Sequence, residues 1–365
     1  MKNEHNSDSW DLEWQRLDPE KEIKMWDFYG GRQWILKYTP RFGTVLEAGC
    51  GLGRYVFYLA ELGIDCIGLD FSEEAIATIK LFQNENNIQR KFCKGNVKLL
   101  PFRDNSIAGY ISLGVIEHFI EGPQLAIKEA YRVLRPGGIA IITTPSLSFS
   151  QIYLHSKAKI KASIKKLIKI ILRYPLRKPP FFQYWYRPNV LKNFVQSSGF
   201  KVVLSTGSDL FYCLYELGYI PAGDSKFNRI ISYLNNTIVA NAGAQSITIS
   251  YKSAALMHCF LCGNLNVFEK DLKAPIPICD NCINKPWARY YLQGSRLKLS
   301  KHYLINPYLT SNVATCEYCG NEYKISGLFE YYGFAVKVCK NCLKDPAINI
   351  ELSNLSIQPI WRKRG

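Results

Sequence analysis

The stretch Val45-Leu-Glu-Ala-Gly49-Cys-Gly51-Leu-Gly53-Arg-Tyr55 decides how this chain folds. Val45 and Leu46 are apolar and β-prone, and Glu47 ends their run. Gly49, Gly51 and Gly53 then remove Cβ atoms where the backbone must turn sharply and approach a ligand. Arg54 to Leu62 predicts a helix. A glycine-rich turn between strand and helix aims backbone N–H groups at a ligand, which suits an anionic or carboxylate-bearing group. The glycine spacing fits neither the dinucleotide fingerprint nor the phosphate loop, because Arg54 stands where a third dinucleotide glycine belongs and no Gly-Lys-Ser/Thr ending follows.

A second strand, Asp65 to Leu69, runs into Asp70, seventeen residues after Gly53. A carboxylate there can accept hydrogen bonds from both hydroxyls of a ribose. With these residues in place the chain resembles the S-adenosylmethionine-dependent methyltransferases of the Rossmann-like class, the type 11 or ubiquinone-biosynthesis pattern. Further motifs come in that family's order: Gly95-Asn96-Val97, Leu100-Pro101-Phe102-Arg103-Asp104-Asn105-Ser106, Ser112-Leu113-Gly114-Val115-Ile116-Glu117-His118-Phe119 and Leu134-Arg135-Pro136-Gly137-Gly138. The resemblance covers roughly residues 25 to 255. It implies an α/β Rossmann-like sheet of seven strands, the last antiparallel, with helices on both faces. It also implies a cofactor held by Glu47, Gly49, Gly51, Gly53, Asp70, Phe71, Asn96, Val97 and Leu113. Two positions depart from the pattern: Asn96 and Gly109 stand where the family usually has Asp. Asn96 keeps a carbonyl oxygen for the adenine amino group.

The chain of 365 residues is 47% apolar, enough for two or three packed units. Its polar opening is no secretory signal and no run is long enough to span a membrane, so an intracellular, cytoplasmic protein is expected. Residues 19 to 38 predict helices leading into the first strand. The resemblance makes Phe28, Tyr29 and Gly30 lid candidates, while Trp10, Trp14 and Trp26 read as a packing stripe. Strands are expected at 44–48, 65–69, 90–94, 107–113, 138–144, 200–205 and 245–253, with a helix at 189–198. Alternation with helical patterns implies a parallel sheet whose ligands bind at the carboxyl ends. Glu47, Asp70, Asn96 and Leu113 all fall there.

Residues 146–208 hold twelve Lys or Arg and no Asp or Glu, within a chain of net charge +16. A basic insertion at 146–190 carries Ile160, Ile164, Leu167, Ile168 and Ile171 at helical spacing, with Lys159, Lys165, Lys166, Lys169 and Arg173 off that face. The segment 157–178 reads as a contact for an anionic membrane surface, a polyanion face, or a solvated cover packed on the domain. The resemblance places the acceptor pocket nearby and makes Tyr184, Trp185, Tyr186 and Arg187 acceptor contacts, against simple packing. A second insertion, 209–244, predicts two short helices.

Beyond Ala255 cysteines take over. Eight of twelve form four Cys-x-x-Cys pairs: Cys259 with Cys262, Cys279 with Cys282, Cys316 with Cys319 and Cys339 with Cys342. Gaps of sixteen and nineteen residues inside the two halves match zinc-ribbon spacing. Cys-x-x-Cys-Gly-Asn opens both halves and Cys-x-Asn-Cys-x-x-x-Pro closes both, a duplication. The division is therefore 1–255, 256–300, 301–350 and a basic tail, 351–365. Tetrathiolate zinc supplies folding energy that such small segments lack, so two structural ions are expected, paired within each half or cross-braced. Cys50, Cys66, Cys93 and Cys213 read as packing residues.

The expected chemistry is direct methyl transfer from a sulfonium, with His118 as proton acceptor beside Glu117. The segment after the fourth strand lacks the Asn/Asp-Pro-Pro-Tyr/Phe arrangement of amino-methylating nucleic-acid enzymes. That favours a small-molecule, lipid or glycan acceptor. The alternatives are a zinc-ribbon adaptor for protein or nucleic acid, or an RNA or protein methyltransferase recruited by its zinc module.

Overall fold

The structure is a computed structural model. It describes residues 7–24, 31–148, 182–208, 243–268 and 276–283, and beyond them the backbone of strands at 313–315, 322–331, 334–339 and 358–359. The chain divides into two units, Met1–Ala254 and Ala255–Gly365. Phe28 to Gly30, Trp26, the basic segment 157–178, the two helices expected within 209–244, Cys213 and the tail fall outside the described residues, apart from a short strand at the tail.

The first unit is a Rossmann-like mixed sheet. Its strands are β1 (Val45–Ala48), β2 (Cys66–Asp70), β3 (Lys91–Lys94), β4 (Ile107–Leu113), β5 (Leu134–Pro145), β6 (Lys201–Ser208) and β7 (Gln245–Tyr251), in the order β3-β2-β1-β4-β5-β7-β6. β7 runs antiparallel to both β5 and β6, and the other pairings are parallel. Because β1 leads out to β2 while β4 leads the other way to β5, the order reverses between β1 and β4. A crevice opens outside their carboxyl ends, the usual ligand position of such sheets.

The helices are α1 (Ser7–Trp14), α2 (Pro19–Lys24), α3 (Arg32–Tyr38), α4 (Arg54–Glu61), α5 (Glu73–Asn86), α6 (Gln124–Val133) and α7 (Pro188–Ser197). Alternation along β1 sorts the two faces. Leu46 and Ala48 join Leu69, Tyr110, Ala140 and Ile142 in a core closed by Ala126, Ile127, Ala130 and Val133 of α6 and Leu191 and Val195 of α7. Val45 and Glu47 must then face the side of α4.

The run Leu100–Ser106 is organised by one arginine of α6. Arg132 donates to the carbonyls of Leu100 and Phe102 and to Asp104 Oδ1, at 2.9, 2.8 and 2.7 Å, and is itself held by Glu129. Glu129 Oε2 in turn accepts the Leu100 N–H at 2.7 Å. This network therefore fixes the connection from β3 to β4.

Gly109, which the family resemblance marks as a departure, has a packing reason. A Cβ there would lie 2.9 Å from Pro40 Cδ and 3.2 Å from Val45 Cγ2. Gly109→Asp, which restores the family's usual residue, is expected to destabilise the first unit by about 2 kcal/mol or more, through overpacking and an unpaired carboxylate. Chemical unfolding checks this, and an unchanged midpoint contradicts it.

Candidate functional site

The turn after β1 is shaped by backbone hydrogen bonds before any ligand arrives. Gly49 and Cys50 donate to Leu69 O at 2.7 and 3.0 Å, and Gly51 donates to Asp70 Oδ2 at 2.8 Å. Ser72 N–H takes the other carboxylate oxygen, Asp70 Oδ1, at 3.0 Å. Gly49, Gly51 and Gly53 have φ of +77°, +50° and +77°, a left-handed conformation that disfavours side chains. Protein atoms fill the places their Cβ atoms would take: Val115 Cγ2 at Gly49, the Trp14 ring at Gly51 and the Phe92 ring at Gly53. The glycines are thus required by turn geometry and by neighbours on three other elements, beyond any approach to a ligand.

Asp70 is buried, and burial pushes its carboxyl above the usual range against the pull of the Ser72, Gly51 and Phe71 N–H groups. Phe71 follows it and is exposed. Asn96 Oδ1, the oxygen expected to meet adenine, accepts the Lys98 N–H at 2.8 Å, so one of its lone pairs closes a local turn. Val97 is buried in the main core, and Leu113 ends β4 at the sheet edge.

Glu47 turns toward α4. Its Oε2 accepts the Val56 N–H at 3.0 Å, so the carboxylate braces the first turn of α4, where helix N–H groups lack partners. Burial drives its pKa up to about 8, opposed by that hydrogen bond and by Arg54. Arg54 itself pairs with Glu22 of α2.

Across the crevice, a 3-10 turn, Ile116–His118, follows β4. His118 Nδ1 lies 2.8 Å from Phe182 O. A carbonyl can only accept, so Nδ1 carries the proton and the neutral ring leaves Nε2 as its basic nitrogen. The ring is flanked edge-on by Trp10 and Phe182, with centroids at 4.9 and 5.2 Å. Glu117 Oε1 lies 3.8 Å from His118 Nε2, while Glu117 Oε2 is buried without a hydrogen-bond partner among the described residues. Burial pushes this carboxyl to about 8 as well.

Tyr184 N–H donates to Glu117 O at 2.9 Å, and Tyr186 N–H donates to Pro145 O at 3.0 Å. These residues line the carboxyl edge of β4 and β5, and the Tyr186 ring also packs on Phe194. Trp14 belongs to an apolar cluster with Leu52, Phe57 and Phe92, which agrees with a packing stripe. Sequence reasoning missed its second part. α1 spans the site, with Trp14 over Gly51, Trp10 against His118 and Asp11 accepting from Ser72 Oγ. Helical spacing of the two tryptophans was the only signal.

In the second unit β8 (Leu256–His258) pairs with β9 (Leu265–Val267), and a short helix covers Asp280–Ile283. The sulfurs of Cys259, Cys262, Cys279 and Cys282 all lie within 4.8 Å of one another. Four sulfurs about 2.3 Å from one tetrahedral ion stand about 3.8 Å apart, which is the separation of Cys262 and Cys279, 3.8 Å. Cys279 N–H points at Cys259 Sγ from 3.3 Å, the kind of outer contact that steadies a thiolate ligand. Hydrogen bonds from Cys282 and from this backbone N–H hold the Cys259 thiol well below its usual range. The residues fit a tetrathiolate metal, grouped within the first half.

The second half repeats that hairpin. β10 (Val313–Thr315) pairs with β11 (Glu322–Tyr331), and Val313↔Lys324, Ala314↔Tyr323 and Thr315↔Glu322 match Leu256↔Val267, Met257↔Asn266 and His258↔Leu265, each 57 residues further on. β12 (Phe334–Cys339) returns Cys339 beside Ile325, and β13 (Gln358–Pro359) pairs with β11. Cys316, Cys319 and Cys342 fall outside the described residues. Cys50 and Cys66 are buried and Cys93 is partly buried, as packing residues would be.

The strand order and the helices on both faces are those of a Rossmann-like α/β domain. Residues 46–142 match the family described as "Methyltransferase domain". The chain is 36% identical over 107 residues to a probable S-adenosylmethionine-dependent methyltransferase of Mycolicibacterium smegmatis, covering 29% of this chain and 40% of that one. It is 28% identical over 133 residues to malonyl-[acyl-carrier protein] O-methyltransferase of Pectobacterium atrosepticum, covering 36% and 46%. It is 33% identical over 110 residues to a tRNA (carboxymethyluridine(34)-5-O)-methyltransferase of Macaca fascicularis, covering 30% and 15%. The chain thus spans less than half the length of each of these relatives. Among the described residues, no helix is long and apolar enough to cross a membrane.

Two buried carboxyls set a pH dependence. Glu47 and Glu117 release their protons near pH 4.5 when unfolded and near 8 when folded, so the native state holds more protons between those values. Stability is expected to be greatest near or below pH 4.5 for these two groups and to fall as pH rises to about 8. Glu47→Gln should flatten part of that slope. Denaturant midpoints measured across this window check it, and an identical slope in the variant contradicts it.

Proposed function

We propose that the chain is an S-adenosylmethionine-dependent methyltransferase acting on an oxygen nucleophile of a small-molecule, lipid or glycan acceptor. The observation that carries this reading is the pairing of a buried carboxylate suited to ribose hydroxyls, Asp70, with His118 on opposite sides of one crevice. Bound S-adenosylmethionine supplies an electrophilic methyl group on a sulfonium. Asp70 would hold the ribose hydroxyls, with Phe71 and Val97 beside the base and the Gly49–Gly53 turn under the amino-acid end. The His118 ring, steadied by Phe182 O, would take the proton of an acceptor hydroxyl at Nε2. Two relatives named above carry O-methyltransferase names, one for an acyl carrier protein and one for a tRNA, which supports oxygen as the accepting atom.

Asp70→Ala is expected to weaken S-adenosylmethionine binding by about 1 to 3 kcal/mol, the cost of leaving buried hydroxyls without a partner. Calorimetric titration measures this, and an unchanged affinity removes Asp70 from the site. Incubation with labelled cofactor and fractionated extract would then identify the acceptor.

The C-terminal unit is proposed to hold two structural zinc ions, one per half, on Cys259, Cys262, Cys279 and Cys282 and on Cys316, Cys319, Cys339 and Cys342. The clustered sulfurs of the first half and the repeated register of the second support pairing within halves. Protein purified without chelator should carry two zinc ions, and Cys316→Ser with Cys319→Ser should release one. Release of both would instead mark a cross-braced pair.

A further inference from the structure

Glu117 is a buried acid with an unmet need. Its side chain is 1% exposed, and Oε2 has no hydrogen-bond partner among the described residues. The one cationic candidate paired with it there is His118, whose Nε2 stands 3.8 Å from Oε1, too far for a hydrogen bond. The backbone carbonyl of Glu117 is satisfied by Tyr184 and its own N–H leans on the carboxyl, so the turn is held while Oε2 is left without a donor among the described residues. A lone carboxylate in such surroundings is costly, and it stays protonated until a cation or donor arrives.

Its place in the fold says where that cation comes from. Gly114, the first residue after β4, has φ of +70°, and a Cβ on it would lie 3.4 Å from Glu117 Oε1. The next residue, Val115, reaches across the strand-order reversal to fill the Cβ position of Gly49, the first residue after β1. Glu117 therefore borders the same crevice as the glycine turn, on the β4 side. Opposite lies the turn that meets the cofactor's polar end.

We infer that the Glu117 carboxylate is the counter-charge of the cofactor's sulfonium, so that the site tells S-adenosylmethionine from its neutral demethylated product. This rests on the reading that the crevice binds S-adenosylmethionine. Sulfonium and thioether forms share adenine, ribose, α-ammonium and α-carboxylate, and differ at the one atom whose charge Glu117 would meet. When the methyl group leaves, sulfur becomes a neutral thioether and the carboxylate loses its partner. The product is then held less tightly than the reactant, which favours exchange after each turnover. Part of that binding is lost at the transition state, where the positive charge is dispersing, so the arrangement serves cofactor selection and product release over the chemical step itself.

The test is calorimetric titration of the full chain, Glu117→Gln and Glu117→Asp with S-adenosylmethionine and with S-adenosylhomocysteine. Glu117→Gln is isosteric and uncharged. It is expected to lower the preference for the sulfonium form by about tenfold, with affinity for the thioether form little changed. Glu117→Asp keeps the charge but withdraws it by one methylene, so a smaller, several-fold shift in the same direction is expected. That variant decides the matter should Glu117→Gln fail to fold by circular dichroism. Equal weakening of both ligands would assign Glu117 to the shared α-ammonium and overturn the inference, as would an unchanged ratio. Failure of the unaltered chain to bind either ligand would instead remove the reading on which the inference rests.

Discussion

Asp70 ties the turn after β1 to the entry of α5. One carboxylate oxygen takes the Gly51 N–H of the turn after β1, and the other takes the N–H of Ser72, which caps α5 through the Ala75 N–H. Shortening this side chain would release the glycine turn from β2 and loosen the entry to α5 together. Every other feature of the crevice is referred to this bond pair. Val115 packs on Gly49, Trp14 on Gly51 and Phe92 on Gly53 in a turn held by Asp70 together with the carbonyl of Leu69. The same carboxylate is the group proposed to meet ribose hydroxyls.

Two further acids divide the remaining tasks by side of the sheet. Glu47 lies beneath the turn and braces α4 through Val56, so its burial serves the fold. Glu117 lies across the crevice with Oε2 left without a partner among the described residues, which is the basis for the proposed ligand contact. Equal burial and similarly raised pKa values thus arise from different circumstances, and hydrogen-bond partners separate them where acidity does not.

Much of this was legible in the chain. Three alternate glycines after a short apolar run marked the turn, and Asp70 after a second such run marked its partner, because both signals are local and short in range. Strand positions in the first unit followed from apolar runs separated by helical periodicity, although β5 begins at Leu134, four residues ahead of the expected start at 138. What could not be read were contacts between residues far apart. The Arg132 hold on Leu100–Ser106, the fit of Pro40 over Gly109 and the reach of Trp10 and Trp14 across the crevice depend on the packed arrangement. Cysteine spacing indicated two ribbons, while the clustering of Cys259, Cys262, Cys279 and Cys282 needed the packed arrangement.

The central claim is that the crevice between β1 and β4 receives S-adenosylmethionine. Hydrogen–deuterium exchange of the full chain with and without this ligand addresses it most directly. The account predicts slowed exchange at Gly49 to Gly53, Phe71 to Ser72 and Gly114 to His118, and little change in the β8–β9 hairpin. Protection confined to other segments, or none at saturating ligand, would contradict it.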